Sequence, residues 1–243
     1  MFGFSFKKKP VNRLNKPYDP TGWEHRVAVE ALQGVYDKGG WEGSEGEWRQ
    51  RSVDQLAKRI LELFEINRKP VRVLDVACFT GDYLGRLMEK TNMGAMLDYT
   101  GVDVTPKFVK HSADRWKHLS NAAFKVASAL QLGFPERSFD IVFNSGMLIH
   151  VADAGTCIRQ FARTAKHYML VETTVDPAMK EDFRDDNKSG DDFIDRVYRP
   201  SYIEKMITDV SEIVEKTDVP YRNTVSSLYS CKPLGSAFPA ATS

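Results

Sequence analysis

Val73-Leu74-Asp75-Val76-Ala77-Cys78-Phe79-Thr80-Gly81-Asp82 reads as a buried parallel strand that enters a tight turn of small residues and then a helix. A second apolar run, Tyr99-Thr100-Gly101-Val102-Asp103, follows it and ends in an acid. A strand, a glycine-bearing loop, a helix and an acid closing the next strand together describe a nucleoside site. The loop lets a ligand approach backbone N–H groups, and the acid accepts from both ribose hydroxyls.

The choice of nucleoside follows from the loop. A dinucleotide cofactor requires G-x-G-x-x-G, because its pyrophosphate lies against the bare N-terminus of the helix. Here those positions hold Ala77, Phe79 and Asp82. Phe79 obstructs the phosphate path and Asp82 places a negative charge beside it, so NAD and FAD are disfavoured. S-adenosylmethionine has no phosphate, carries a sulfonium and an ammonium group, and tolerates nearby carboxylates. The loop resembles the first motif of the class I S-adenosylmethionine-dependent methyltransferases, D-x-G-C-G-x-G. It keeps Asp75, Cys78 and Gly81, with Ala77 and Phe79 standing for two glycines.

Two further segments extend the resemblance. Ala127-Ser128-Ala129-Leu130-Gln131-Leu132-Gly133-Phe134-Pro135-Glu136-Arg137-Ser138-Phe139-Asp140-Ile141-Val142 is similar, without a gap, to the family's G-D-A-x-x-L-P-F-P-D-x-S-F-D-x-V. Met147-Leu148-Ile149-His150-Val151 resembles its apolar-histidine-valine ending. The matches stand in family order over residues 71–172. The resemblance implies an α/β, Rossmann-like, doubly wound and mostly parallel seven-stranded sheet. An antiparallel C-terminal edge strand and an N-terminal helical cap complete it.

Bulk properties are those of an ordinary soluble protein. The 243 residues suit one domain with a sizeable core plus terminal additions. The net charge of +1 gives no electrostatic case for a nucleic-acid partner. No apolar run is long enough to span a membrane, so no stable insertion is expected. The start, Met1-Phe2-Gly3-Phe4-Ser5-Phe6-Lys7-Lys8-Lys9-Pro10, lacks a signal-peptide hydrophobic region and reads as a solvated terminus, the alternative being a contact of its phenylalanines and lysines with an anionic membrane surface. Cys78, Cys157 and Cys231 are far apart, without a C-x-x-C, which argues against disulfides or zinc and suits a reducing cytoplasm. Nothing in the sequence bears on oligomeric state.

Along the chain, residues 1–51 read as an N-terminal extension and lid, 52–234 as the S-adenosylmethionine-binding domain, and 235–243 as a flexible tail. Ser52-Val53-Asp54-Gln55 is expected to be a capping box that starts a helix carrying Val53, Leu56, Ile60 and Phe64. Lys69-Pro70 ends it. Strands are expected from Val71 and over 99–104, 123–127, 139–144 and 168–173. Helices are expected from Asp82, from Pro106 to about His118, and along the stripe Cys157, Ile158, Phe161, Ala162, Ala165. A second capping box, Ser201-Tyr202-Ile203-Glu204, opens the last helix, and runs 211–217 and 225–231 pair as the antiparallel edge.

The ligand of an open parallel sheet sits beyond the carboxyl ends of its strands. The resemblance then puts the cofactor's methionine half on Asp75, Ala77, Cys78, Phe79 and Gly81, and its ribose on Asp103, beside Val104. The alternatives are that Asp75 braces the turn and that Asp103 serves a helix N-terminus ahead of Pro106. Ser128, where the family more often has aspartate, and Ala129 face the adenine, unless Ser128 only caps the loop. Asn144 ends the fourth strand toward the cleft. His150 is the catalytic candidate, a neutral imidazole suited to taking a proton from a hydroxyl acceptor; its alternative is capping the next turn. Trp23, Trp41, Trp48, Tyr18 and Tyr36 form a lid or pack an N-terminal helix. Asp185-Asp186-Asn187 and Asp191-Asp192 have no diagnostic cation spacing, and no metal is assigned. The expected function is methyl transfer to an oxygen or nitrogen of a small molecule, such as a sugar, glycan or natural-product intermediate. The competing readings are a methyltransferase-fold binding or regulatory protein without turnover, motivated by Ala77, Phe79, Ser128 and His167-Tyr168, and an NAD-linked enzyme.

Overall fold

Strand β1 (Val71–Val76) is buried on both faces save for Arg72, which is what its near-continuous apolar sequence demands. It pairs in parallel with β2 (Leu97–Asp103) on one side and with β4 (Phe139–Ser145) on the other. β3 (Ala122–Val126) lies outside β2, and β5 (Ala165–Val175) outside β4. The order β3-β2-β1-β4-β5 reverses direction at β1, so a crevice opens between the carboxyl ends of β1 and β4. The computed structural model describes residues 43–90, 93–185 and 195–235.

The antiparallel edge is a long hairpin, β8 (Ser211–Tyr221) and β9 (Thr224–Pro233), as the sequence predicts. β9 pairs with β5 from Met169↔Cys231 to Val175↔Val225, and β8 lies outside it. Two short strands, β6 (Phe183–Asp185) and β7 (Arg196–Tyr198), were not legible in the sequence. Three residues carry no readable periodicity. With them the described sheet has nine strands, against the seven expected.

Helices cover both faces, and the strand period of two sorts the core accordingly. On one face α1 (Gly43–Asn67) buries Val53, Leu56, Ile60 and Leu63 completely, and α2 (Asp82–Met88) adds Leu84 and Leu87. They pack on Val73, Tyr99, Ile141, Phe143, Tyr168 and Leu170, with α3 (Met93–Met96) contributing Met93. The other face carries α5 (Ala154–Thr164), through Cys157, Ile158 and Phe161, and α6 (Pro200–Thr208), through Ile203 and Ile207. Their partners are Leu74, Val76, Val142, Met169 and Val171. Between β2 and β3 runs α4 (Pro106–Arg115), with proline in its first turn as expected. It stops short of His118. No helix among the described residues is long and apolar enough to cross a membrane.

Both expected capping boxes are corrected. The first helix begins at Gly43, so Ser52 is interior; fully buried, its hydroxyl donates to the Trp48 carbonyl one turn back at 3.0 Å. Gln55 reaches instead to Glu215 on β8. In α6 the N-cap is Arg199 with Pro200 in the first turn, and Glu204 accepts from Lys216. In both cases the helix carries on upstream of the motif. The real side-chain cap is Asp153, which accepts from the Thr156 N–H at 2.8 Å and starts α5.

Candidate active site

The crevice at the topological switch holds a cavity of about 390 Å³, a size suited to a cofactor or a small ligand. Each of the strands β1 to β5 sends its carboxyl end or following loop into it, and α1 and the β8–β9 hairpin close one side through Trp48, Arg49, Tyr221 and Ser226.

The β1–α2 loop supplies Ala77, Cys78 and Phe79. Ala77 (φ 60°) and Phe79 (φ 52°) both adopt the left-handed conformation, the region for which glycine is the ordinary residue. The departures from the glycine pattern therefore change the residues but keep a left-handed turn. The shape is held from outside: the Cys78 N–H donates to the Val102 carbonyl at 2.9 Å, and the Ser112 hydroxyl to the Phe79 carbonyl at 2.8 Å. The Phe79 ring packs edge-on against Phe108, centroids 4.4 Å apart, as an apolar wall. Asp82, also on the wall, is paired with Arg115 at 2.7 Å.

Asp103 ends β2 at the cavity. One carboxylate oxygen accepts from the Phe79 N–H at 3.1 Å and the other from the Thr105 N–H at 2.9 Å. Burial pushes its carboxyl upward, against these hydrogen bonds, and it has no ion-pair partner among the described residues. A buried carboxylate with lone pairs to spare, fixed to the loop beside it, suits a vicinal diol. Val104, Ser128, Ala129 and Leu130 continue this wall. The Ser128 hydroxyl accepts from the Leu130 N–H at 3.2 Å, so it caps its loop while facing the cavity.

Three sequence candidates lie behind the wall. Asp75 is on the α1 side of β1, where alternation turns it to Tyr99; the Tyr99 hydroxyl donates to it at 2.5 Å. Burial lifts the Asp75 carboxyl to about 7. Asn144, fully buried and one residue short of the strand end, donates to the Val76 carbonyl at 2.8 Å and so ties β4 to the end of β1. Gly81 (φ 75°) caps α2, and a Cβ there would stand 2.6 Å from Trp116 Nε1. The left-handed backbone and the Trp116 indole both require glycine there.

His150 does reach the cavity, from a single 3-10 turn over Leu148–His150. Of the expected lid aromatics, Trp48 lines the cavity and stands edge-on to Tyr221 at 6.4 Å, while Tyr18, Trp23, Tyr36 and Trp41 lie outside the described residues. Asp186, Asn187, Asp191 and Asp192 lie outside them too, and Asp185 is held by Arg196 at 2.8 Å.

Sequence reasoning missed a polar group opposite Asp103. Glu172 on β5 is buried at 2 % exposure yet borders the cavity. It accepts from the Ser226 hydroxyl at 2.5 Å, from Ser145 at 3.4 Å and from the Gly146 N–H. Burial raises its carboxyl, opposed by Ser226 and the nearby Arg51. One signal was available: a lone acid directly after the apolar run Met169-Leu170-Val171, since glutamate is seldom fully buried without partners.

Residues 67–218 match the model of a family described as a methyltransferase domain. The 27-O-demethylrifamycin SV methyltransferase of Amycolatopsis mediterranei is 25% identical over 162 residues, covering 65% of this chain and 56% of that protein. Aklanonic acid methyltransferase DauC of a Streptomyces species is 30% identical over 117 residues, 46% of this chain and 50% of the relative. The chain thus spans about half the length of the curated relatives it matches. Among solved structures, the magnesium protoporphyrin IX methyltransferase of Synechocystis PCC 6803 with bound SAM superimposes with a TM-score of 0.64 at 16% identity, over 90% of this chain and 99% of that one. That likeness speaks for the fold.

Proposed function

The chain belongs to the methyltransferase-domain family, and from that premise we propose that it transfers a methyl group from S-adenosylmethionine to an oxygen or nitrogen of a small molecule. The observation that carries this reading is Asp103. It is a buried carboxylate at the end of β2, without an ion-pair partner among the described residues, bonded to the loop of β1 and open to the cavity. When bound, S-adenosylmethionine supplies a methyl group activated by a sulfonium charge. Asp103 takes the ribose hydroxyls. Ala77, Cys78 and Phe79 face the methionine half, and Val104, Ser128 and Ala129 enclose the adenine with Phe108 and Leu130. Asp75, Gly81 and Asn144 support this wall from behind.

A small-molecule acceptor agrees with the relatives, whose names give a rifamycin precursor and aklanonic acid as substrates. Trp48, Tyr83, Met147, Ile149 and Tyr221 offer such a molecule an apolar enclosure, with His150 on the same wall. Holding acceptor and methyl in line within that enclosure accounts for much of the acceleration required. The three buried thiols suit a cytoplasmic setting, and no nucleic-acid partner is proposed. Isothermal calorimetry with S-adenosylmethionine, S-adenosylhomocysteine and NAD tests the reading. Binding of the first two and not the third is expected; binding of NAD alone would overturn it.

A further inference from the structure

Opposite Asp103, two hydrogen-bond chains from separate elements converge on one carboxylate. Arg51 of α1 donates to the Ser226 hydroxyl at 2.8 Å and to the Ser226 carbonyl at 2.6 Å. Since a guanidinium can only donate, the Ser226 hydroxyl must turn its own hydrogen to Glu172 Oε1, at 2.5 Å. On the other side the Tyr83 hydroxyl of α2 donates to Ser145 at 2.7 Å, and Ser145 donates to Glu172 Oε2 at 3.4 Å. The Gly146 N–H is a third donor. Both hydroxyl relays therefore end in a hydrogen on Glu172, and this polarity holds an acceptor at the cavity wall. The longer of the two hydroxyl contacts is the one to Oε2.

Resting on the methyltransferase reading, we infer that Glu172 is the proton acceptor of the reaction. It receives the hydroxyl of an aromatic acceptor enclosed between Trp48 and Tyr221, two rings that stand edge-on to one another at the cavity wall. The acceptor oxygen gains the methyl carbon, the sulfonium sulfur keeps the electron pair of the broken carbon–sulfur bond, and the O–H proton goes to Glu172. From there it leaves to water as the product departs. One observation favours a neutral hydroxyl over an ammonium. The Glu172 charge is already offset by Arg51 through Ser226, and Arg49 adds a second cation to the same wall. Burial raises the Glu172 carboxyl, the direction that strengthens a carboxylate as a base. The other ionisable groups sharing the wall are Tyr83, His150, Asp195 and Tyr221, besides Asp82 and Asp103 on the cofactor side. His150 becomes part of the enclosure, and not the base expected from its motif.

The probe is 4-nitrophenol, whose phenol and phenolate differ in colour, added to the complex with S-adenosylhomocysteine. The wild-type protein should bind the neutral phenol, with loss of the phenolate band, because the Glu172 carboxylate accepts a hydrogen that only the phenol can donate. Glu172→Gln should bind the phenolate, with gain of that band, while its affinity for S-adenosylhomocysteine stays within about threefold. Ser226→Ala, which keeps the charge and removes a donor, should still bind the neutral form. With tritiated S-adenosylmethionine, methyl transfer to the probe should fall about 100-fold or more in Glu172→Gln, the lower range for loss of a general base, and far less in His150→Ala. The inference is overturned by the same spectral change in wild type and Glu172→Gln, by no binding of the phenol, by no transfer to a bound phenol, or by a larger loss at His150. Failure of S-adenosylhomocysteine to bind would instead remove the methyltransferase reading itself.

Discussion

Asp103 and Ala77 show how single residues at this site are held by geometry. The Asp103 carboxylate spans the Phe79 and Thr105 N–H groups and still presents lone pairs to the cavity. Asp103→Ala should weaken S-adenosylhomocysteine binding by roughly 1.5–3 kcal/mol, the range for hydrogen bonds to a charged group. Calorimetry on the folded variant measures it, and an unchanged affinity would remove Asp103 from the site. Ala77 sits at φ 60°, where a Cβ costs about 1–2 kcal/mol relative to glycine. Ala77→Gly relieves that strain but adds chain entropy to the unfolded state, so a net gain of about 0.5–1 kcal/mol in urea unfolding is expected. Cofactor affinity should be retained. A loss of affinity would mean that the methyl group itself contacts the ligand.

At the level of elements, the β1–α2 turn depends on α4 as much as on its own sequence. The Trp116 indole, just past the end of α4, occupies the space that a side chain at position 81 would need: Nε1 lies 2.6 Å and Cδ1 2.9 Å from the point where a Cβ would stand. Gly81→Val should therefore cost about 2 kcal/mol or more in stability, combining a left-handed backbone with overpacking. Trp116→Ala in the same chain should recover part of the loss in thermal unfolding. No recovery would show that backbone strain alone is responsible. The joining of α1 to the sheet has a similar character. Arg59, nearly buried, donates to Glu62, Ser230 and Glu215 and lies over the Tyr168 ring, so one side chain binds the helix to β5, β8 and β9. That anchorage carries Trp48, Arg49 and Arg51, further up the same helix, to the cavity.

Across the whole molecule, several buried acids share one sign of pH dependence. The Asp75 carboxyl rises from its usual 3.8 to about 7 because burial outweighs the Tyr99 hydrogen bond. The folded state then holds a proton that the unfolded chain releases. The associated stability is complete below the unfolded value and is lost as the pH climbs from about 4 through about 7. Asp103 and Glu172 are raised too and act in the same direction. Urea unfolding across this window should show that decline, and Asp75→Asn, which keeps a partner for Tyr99, should flatten it. A pH profile unaltered by Asp75→Asn would place the titration elsewhere. Because S-adenosylhomocysteine is expected to bind only the folded chain, adding it should raise stability at every pH in the window.

Much of this fold was legible in the chain itself because the deciding signals are local. The buried run 71–76, the turn after it, the acid ending β2 and the proline opening α4 each act within a few residues of their own positions. Local patterns therefore located Ala77, Phe79, Asp103, Val104, Ser128, Ala129 and His150 at the cavity. The same patterns could not say which side of a strand is the useful one. Alternation along β1 turns Asp75 to Tyr99, and along β4 it turns Asn144 to Val76, so both motif residues stand behind the wall. Nor could they assemble Glu172 with Ser226 and Arg51, which are separated by 54 and 175 residues along the chain as hydrogen-bonded pairs. Those contacts exist only after β9 has paired with β5 and α1 has packed across them. Local sequence specified the wall around Ala77, Phe79 and Asp103, since the β1–α2 turn and the end of the next strand build it. The wall around Glu172 was decided by tertiary structure, because its side chains come from α1, α2, β4, β5, β8 and β9, which meet only in the folded sheet.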